Sequence, residues 1–183
     1  MRARYICAID PGNIQSAYCL MTPDLQPVSF MKAENEVMYE DMMSAVRCHA
    51  TADTVFVIED IVSYGMSVGR EVFDTCKWIG RLQERLKDMD VSFVNRLQEK
   101  QTICHSQKAN DTTIRQALID RFAYGVPNKG KGTKKEPGWF YGFRADVWSA
   151  YAVGVTYHDL KLLKGEENVR ANTRSVNRCP SIC

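Results

Sequence analysis

No run of apolar residues in this sequence approaches the roughly eighteen needed to cross a bilayer. The first apolar stretch, Tyr5, Ile6, Cys7, Ala8 and Ile9, stops at Asp10, too soon for a signal peptide. A membrane or secreted protein is therefore not expected; the chain reads as cytoplasmic. Charge of one sign is missing as well. Against 24 Lys and Arg stand 22 Asp and Glu, for a formal net charge of +2, so any charged partner must be met by a local cluster. The seven cysteines are odd in number and scattered, which excludes a disulfide framework and reads as reduced thiols. Cys104-His105 has no second pair at zinc-finger spacing, so structural zinc is not expected. No internal repeat is visible.

What is present is one domain's worth of core: 183 residues, 45% of them apolar. "RYICAID" (4–10) is apolar on both faces, as a central strand covered on each side must be. "SAYCLMT" (16–22) and "PVSFMKA" (27–33), separated by a Pro and Asp turn signal, complete an antiparallel meander. Residues 35–50 place Val37, Tyr39, Met42, Met43 and Val46 at helical spacing. "TVFVIED" (54–60) is a second central strand. A helix follows with Val72, Cys76, Ile79, Leu82 and Leu86 on one stripe. Then come a strand over 91–97 and a helix capped by Asn110 or Asp111 that turns Ile114, Leu118 and Phe122 inward. Residues 124–142 form a long loop rich in Pro, Gly and Lys, and 144–163 an apolar helix. The expected fold is a layered α/β domain with a mixed sheet over 1–164, and a polar tail over 165–183.

Two central strands end in acids, Asp10 and Glu59, and the late helix opens on a third, Asp146. Open α/β sheets bind ligands at the carboxyl ends of their strands. Acids gathered there repel one another and need raised pKa values or bound cations. Oxygen donors alone select hard ions such as Mg²⁺, with Mn²⁺ as a substitute, and a pair of such ions suits phosphodiester cleavage. Each acid also has a plain structural reading: a D-P-G turn for Asp10, a cap or arginine partner for Glu59, a helix N-cap for Asp146.

"AIDPGN" before a meander, "VIED" ending the fourth strand and "DVWSAYAVGVTY" opening a late helix resemble the three acidic motifs of RuvC-like Holliday junction resolvases, within the ribonuclease H-like nucleases. The phage and prophage branch is the nearest. The resemblance spans roughly residues 4–160 and implies a three-layer fold with a five-stranded mixed sheet flanked by helices. It also implies Asp10, Glu59 and Asp146 as catalytic metal ligands, and a homodimer paired through the helix over 72–86. It implies nicking of four-way junctions or other branched DNA in a bacterial or phage-infected cytoplasm. The family's last motif has a second ligand three positions from the first. Here Phe143 or Ser149 stands in that place, depending on register. A branched-DNA-binding protein with weak or lost nuclease activity is the alternative. An actin-like phosphotransferase would need a second glycine-rich phosphate loop, which these residues do not supply.

Candidate DNA contacts lie in three places. The resemblance implies that Tyr64, in a glycine-punctuated connection after Glu59, stacks on bases at the junction centre; otherwise it covers the end of the core with Met66. Lys129, Lys131, Lys134 and Lys135 crowd the long loop, where flexible ammonium groups suit phosphates. Lys108 and Arg115, beside and on the preceding helix, are further phosphate candidates. Trp139, Phe140 and Tyr141 anchor the loop or touch bases.

Overall fold

The computed structural model describes residues 4–49, 53–63, 65 and 67–176, with side chains of the last helix as far as Lys161. Five strands, β1 (Tyr5–Asp10), β2 (Gln15–Met21), β3 (Pro27–Glu34), β4 (Thr54–Asp60) and β5 (Asp90–Asn95), form one sheet in the order β3-β2-β1-β4-β5. The meander β1 to β3 is antiparallel because short turns join its strands, while β1, β4 and β5 run parallel. Parallel pairing needs a crossover. Helices α1 (Asn35–His49) and α2 (Arg70–Arg85) supply those crossovers, and α3 (Arg96–Cys104), α4 (Asp111–Phe122) and α5 (Val147–Val176) complete the chain.

Strand alternation sorts the core into two halves. Cys7, Ile9, Phe56 and Ile58 face Met38, Met42, Trp78 and Leu82 of α1 and α2. Ile6, Ala8, Val55 and Val57 face α3 to α5, above all Tyr151, Val153 and Val155. With helices on both faces, the central strands have no polar side, which is why they read as unbroken apolar runs. The result is the expected three-layer fold with a five-stranded mixed sheet.

Several elements differ from the sequence reading. On α1 the buried stripe is Met38, Met42 and Ala45, and Val37 is exposed. On α2 it is Thr75, Trp78, Ile79 and Leu82, with Cys76 exposed. The strand expected over 91–97 ends at Asn95, where α3 begins. Helical backbone continues past Gly165 to Val176, so the expected tail begins inside α5; residues 177–183 lie outside the described part. The lysine-rich loop is built. Gly130 and Gly138 bond to Val126 and Lys131 carbonyls at 3.3 and 2.9 Å, and Gly132 bridges to Pro137. Phe140 and Phe143 beneath it are fully buried, and Trp139 Nε1 donates to Tyr151 Oη at 2.9 Å. Anchoring is therefore the role of Trp139 and Phe140, while Tyr141 is exposed. The described cysteines are all free, and no described helix is long and apolar enough to cross a membrane.

Candidate active site at the carboxyl edge of the sheet

The ends of β1 and β4 lie side by side, with Ile9 opposite Ile58 in the parallel register. The next residues, Asp10 and Glu59, are therefore neighbours. A period of two puts both on the face of Ile6, Ala8, Val55 and Val57, the one covered by α3 to α5. Asp60, one step further, is exposed on the other face. The turn after Asp10 is tight. Gly12 N donates to Ser16 Oγ at 3.1 Å, Ser16 Oγ donates to Asn35 Oδ1 at 2.7 Å, and Asn35 Nδ2 donates to the Gly12 carbonyl at 3.1 Å. A Cβ at Gly12 would collide with the Gln15 carbonyl oxygen. The D-P-G signal thus marks a turn that holds the acid at the strand mouth.

Burial is the largest influence on both acids. It pushes Asp10 up to about 8, helped by the negative charges of Glu59 and Asp146 and opposed by Arg96. Burial also raises Glu59, against the Arg96 charge and against hydrogen bonds from Asp10 and Glu99. Asp10, Glu59 and Glu99 thus form a row of acids that influence one another's charge.

The third member of that row, Glu99, is absent from the sequence expectation. Its helix starts directly from β5. The Asn95 side chain accepts from Gln98 N at 3.0 Å, and the Gln98 side chain accepts from Asn95 N at 2.9 Å. This capping box, N-x-x-Q, is the signal that a strand reading through residue 97 passes over. The helix so begun puts Arg96 and Glu99 three apart on one face. Glu99 is 0% exposed, with Oε2 2.5 Å from Arg96 Nη1 and Oε1 without a donor. Burial and the Glu59 charge push Glu99 up to about 9. Arg96 also pairs with Asp111 at the start of α4.

Asp146 stands apart from the row. It precedes α5, its carbonyl accepting from Ala150 N at 2.9 Å, and its side chain is 45% exposed. Lys32 Nζ holds it at 2.5 Å. The strand register explains the reach: Asp10 pairs with Ala17 and Ala17 with Lys32, so the lysine passes over a small residue toward the site. Asp146 and Ser149 line a cavity of about 110 Å³ with Arg96, Asp111, Arg115 and Trp148. Phe143 lies in the buried aromatic cluster. Of the two candidates for the absent ligand position, Ser149 is therefore the one beside Asp146.

The expected DNA contacts fall into groups. Tyr64 and Met66 lie outside the described residues. Arg115 is half-buried on the cavity wall, its guanidinium 5.3 Å from the Trp148 ring centroid and its Nε without a partner. Lys108 is exposed on the turn between α3 and α4. Lys129, Lys134 and Lys135 are exposed and Lys131 is half-buried, all on the built loop before α5.

The donors at the row are oxygens alone, and one of them, Glu99 Oε1, is buried without a proton donor. Oxygen donors alone are the kind that would suit a hard dication. Among the described residues no three His, Cys, Asp or Glu side chains are yet gathered so that they could hold a metal ion. Lys32, not an ion, is the partner of the Asp146 side chain here.

No protein-family model and no curated protein sequence matches this chain. Solved structures do. A Thermus thermophilus RuvC structure superposes with a TM-score of 0.57 at 10% identity, over 87% of this chain and 96% of that one. Thermus thermophilus RuvC in complex with a Holliday junction substrate gives a TM-score of 0.62 at 10% identity, with the same coverage. At such identity the likeness is one of fold, and the fold is RuvC-like.

Proposed function

We propose that this protein is a metal-dependent, structure-selective endonuclease that resolves four-way junctions or other branched DNA by phosphodiester hydrolysis. The observation that carries the reading is the half-buried pair of acids, Asp10 and Glu59, side by side at the carboxyl edge of a RuvC-like sheet. Asp146 would join them on leaving Lys32. Mg²⁺, or Mn²⁺ in its place, supplies neutralisation of these acids, activation of water and stabilisation of the leaving oxygen. The chain's own residues do the rest. Asp10 and Glu59 would hold the ion, and Arg115 and the lysines at 108, 129, 131, 134 and 135 bind phosphates without reading bases. Tyr64 is assigned to the junction centre. Two matched cuts need two sites, so the working form is a homodimer, with α2 and its exposed Phe73 as the pairing face. A protein of this kind belongs with the phage and prophage resolvases.

One observation favours a second reading, a branched-DNA-binding protein with weak or lost nuclease activity: Lys32 already neutralises Asp146, and Ser149 offers no charge. A single assay separates the two. Labelled four-way junction is incubated with wild type and Asp10→Asn in Mg²⁺ and in Mn²⁺. Nicking by wild type that is lost in Asp10→Asn is the expected result. Equal nicking by both rejects the site, and tight binding without nicking in either metal selects the second reading.

A further inference from the structure

We propose that the cavity between α4 and the start of α5 seats one phosphodiester of the bound DNA strand, and that the Arg115 guanidinium grips it there beside Asp146. The inference rests on the branched-DNA reading above and adds to it one discrete seat. The pairing of charges on the cavity wall leaves Arg115 over. Arg96 is paired with Glu99 and Asp111, and Asp146 with Lys32. Arg115 has no ion pair among the described residues, and its Nε is buried without an acceptor. A cation whose only task is to cover a ring keeps its head in water. Here the guanidinium lies 5.3 Å from the Trp148 ring centroid, and Trp148 is itself only 5% exposed, so a buried ring braces the fork in one place. A buried donor without an acceptor is costly, and a leucine or methionine would cover Trp148 without that cost. An anion in the cavity supplies the missing charge. At about 110 Å³ the cavity is well under the roughly 300 Å³ at which sites for whole small molecules begin, so it suits a single group rather than a base. A planar guanidinium matches two phosphate oxygens at once, and the Ser149 hydroxyl on the same wall is a further donor. Asp111 and Asp146 do not repel a phosphate as free charges, because Arg96 and Lys32 already face them.

The test is binding of the full chain to four-way junctions in EDTA, where no nicking intervenes. Each junction carries a single neutral methylphosphonate linkage, moved one position at a time through the strands at the crossover. Wild type, Arg115→Met and Arg115→Lys are compared, with melting temperatures to confirm that each is folded. In wild type, neutralising the linkage that enters the cavity is expected to weaken binding roughly tenfold. In Arg115→Met that one position is expected to fall silent while the other sensitive positions keep their effect, because only the paired contact is already gone. Arg115→Lys keeps the charge but not the fork, and is expected to retain a smaller effect at the same position. An Arg115→Met profile of the same shape as wild type overturns the seat and leaves the branched-DNA reading standing. Absence of junction binding by wild type overturns both. A crystal of wild type with a junction gives an answer that does not depend on how the variants fold. A phosphate oxygen within hydrogen-bond distance of the Arg115 guanidinium is expected, and a strand that passes the site without entering the cavity overturns the proposal.

Discussion

A carboxyl at the end of a buried strand is most stable with its proton on, and Asp10 is held in that state, pushed up to about 8 by burial and by the Glu59 charge. The unfolded chain returns it to its ordinary value of 3.8. A group whose folded pKa is the higher one adds stability at low pH and loses it as pH rises through the folded value. The melting temperature of the protein in EDTA is therefore expected to fall between about pH 4 and pH 8, with Glu99, pushed up to about 9, extending the decline. Asp10→Asn is neutral at every pH. Its melting curve is expected to be flatter over this range and higher than wild type at pH 8. A wild-type melting temperature that rises over the same interval in EDTA contradicts the upward shifts of Asp10 and Glu99. If Mn²⁺ binds these acids as proposed, the slope is expected to reverse, because an ion would compete with their protons. At this scale Asp10 and Glu59 were legible, since each ends an apolar run. Glu99 was not. Its neighbours in sequence are polar, and nothing local says that it is buried.

Among the elements, α5 is the one whose position decides the site, because it carries Ser149, begins directly after Asp146 and lies across β1, β2 and β4. Its approach to the sheet depends on Gly154. A Cβ there would meet Ala8 Cβ at 3.1 Å and collide with the Met21 side chain. Gly154→Val is expected to lower stability by about 1–3 kcal/mol, the usual range for overpacking a closed core. Urea unfolding checks this: an unchanged midpoint would show that the helix can lift away from the sheet at little cost. The sequence reading found α1, α2, α4 and α5 because each carries an apolar stripe of three turns or more. It missed α3, a short helix whose buried residue is Glu99 itself. For such an element the capping box is the remaining signal, and hydropathy points the wrong way.

At the scale of the whole molecule, the row of acids and the lysine-rich loop lie in different segments of the chain. The acids of the row lie under α3 and α5, while Lys134 and Lys135 stand exposed on a loop tied down by Phe140 and Trp139. A rigid loop presents its ammonium groups at a set place, without the ordering cost of a mobile one. Replacing both Lys134 and Lys135 with Gln is expected to weaken four-way junction binding evenly across sequences. It should also reduce the slope of log K against log salt by about 2, near 0.9 per phosphate contact. Filter binding at several salt concentrations measures it, and an unchanged slope would take this loop out of the DNA interface. The built loop was not legible, because its order comes from glycine turns packed on aromatic rings that the chain supplies only later.

By itself the sequence determined what depends on neighbours along the chain: two central strands apolar on both faces, a turn that stops each at an acid, and helices with apolar stripes that must cover the sheet. Only the tertiary structure decided what depends on register and helix docking. Lys32 reaches Asp146 because Ala17 lies between the lysine and Asp10 in the strand order. Glu99 joins Asp10 and Glu59 because a capped turn brings α3 off β5 at the site edge. Hydrophobic patterning is a local property, whereas the partner of a charge is set by whichever segment folds beside it, and no spacing along the chain encodes that distance.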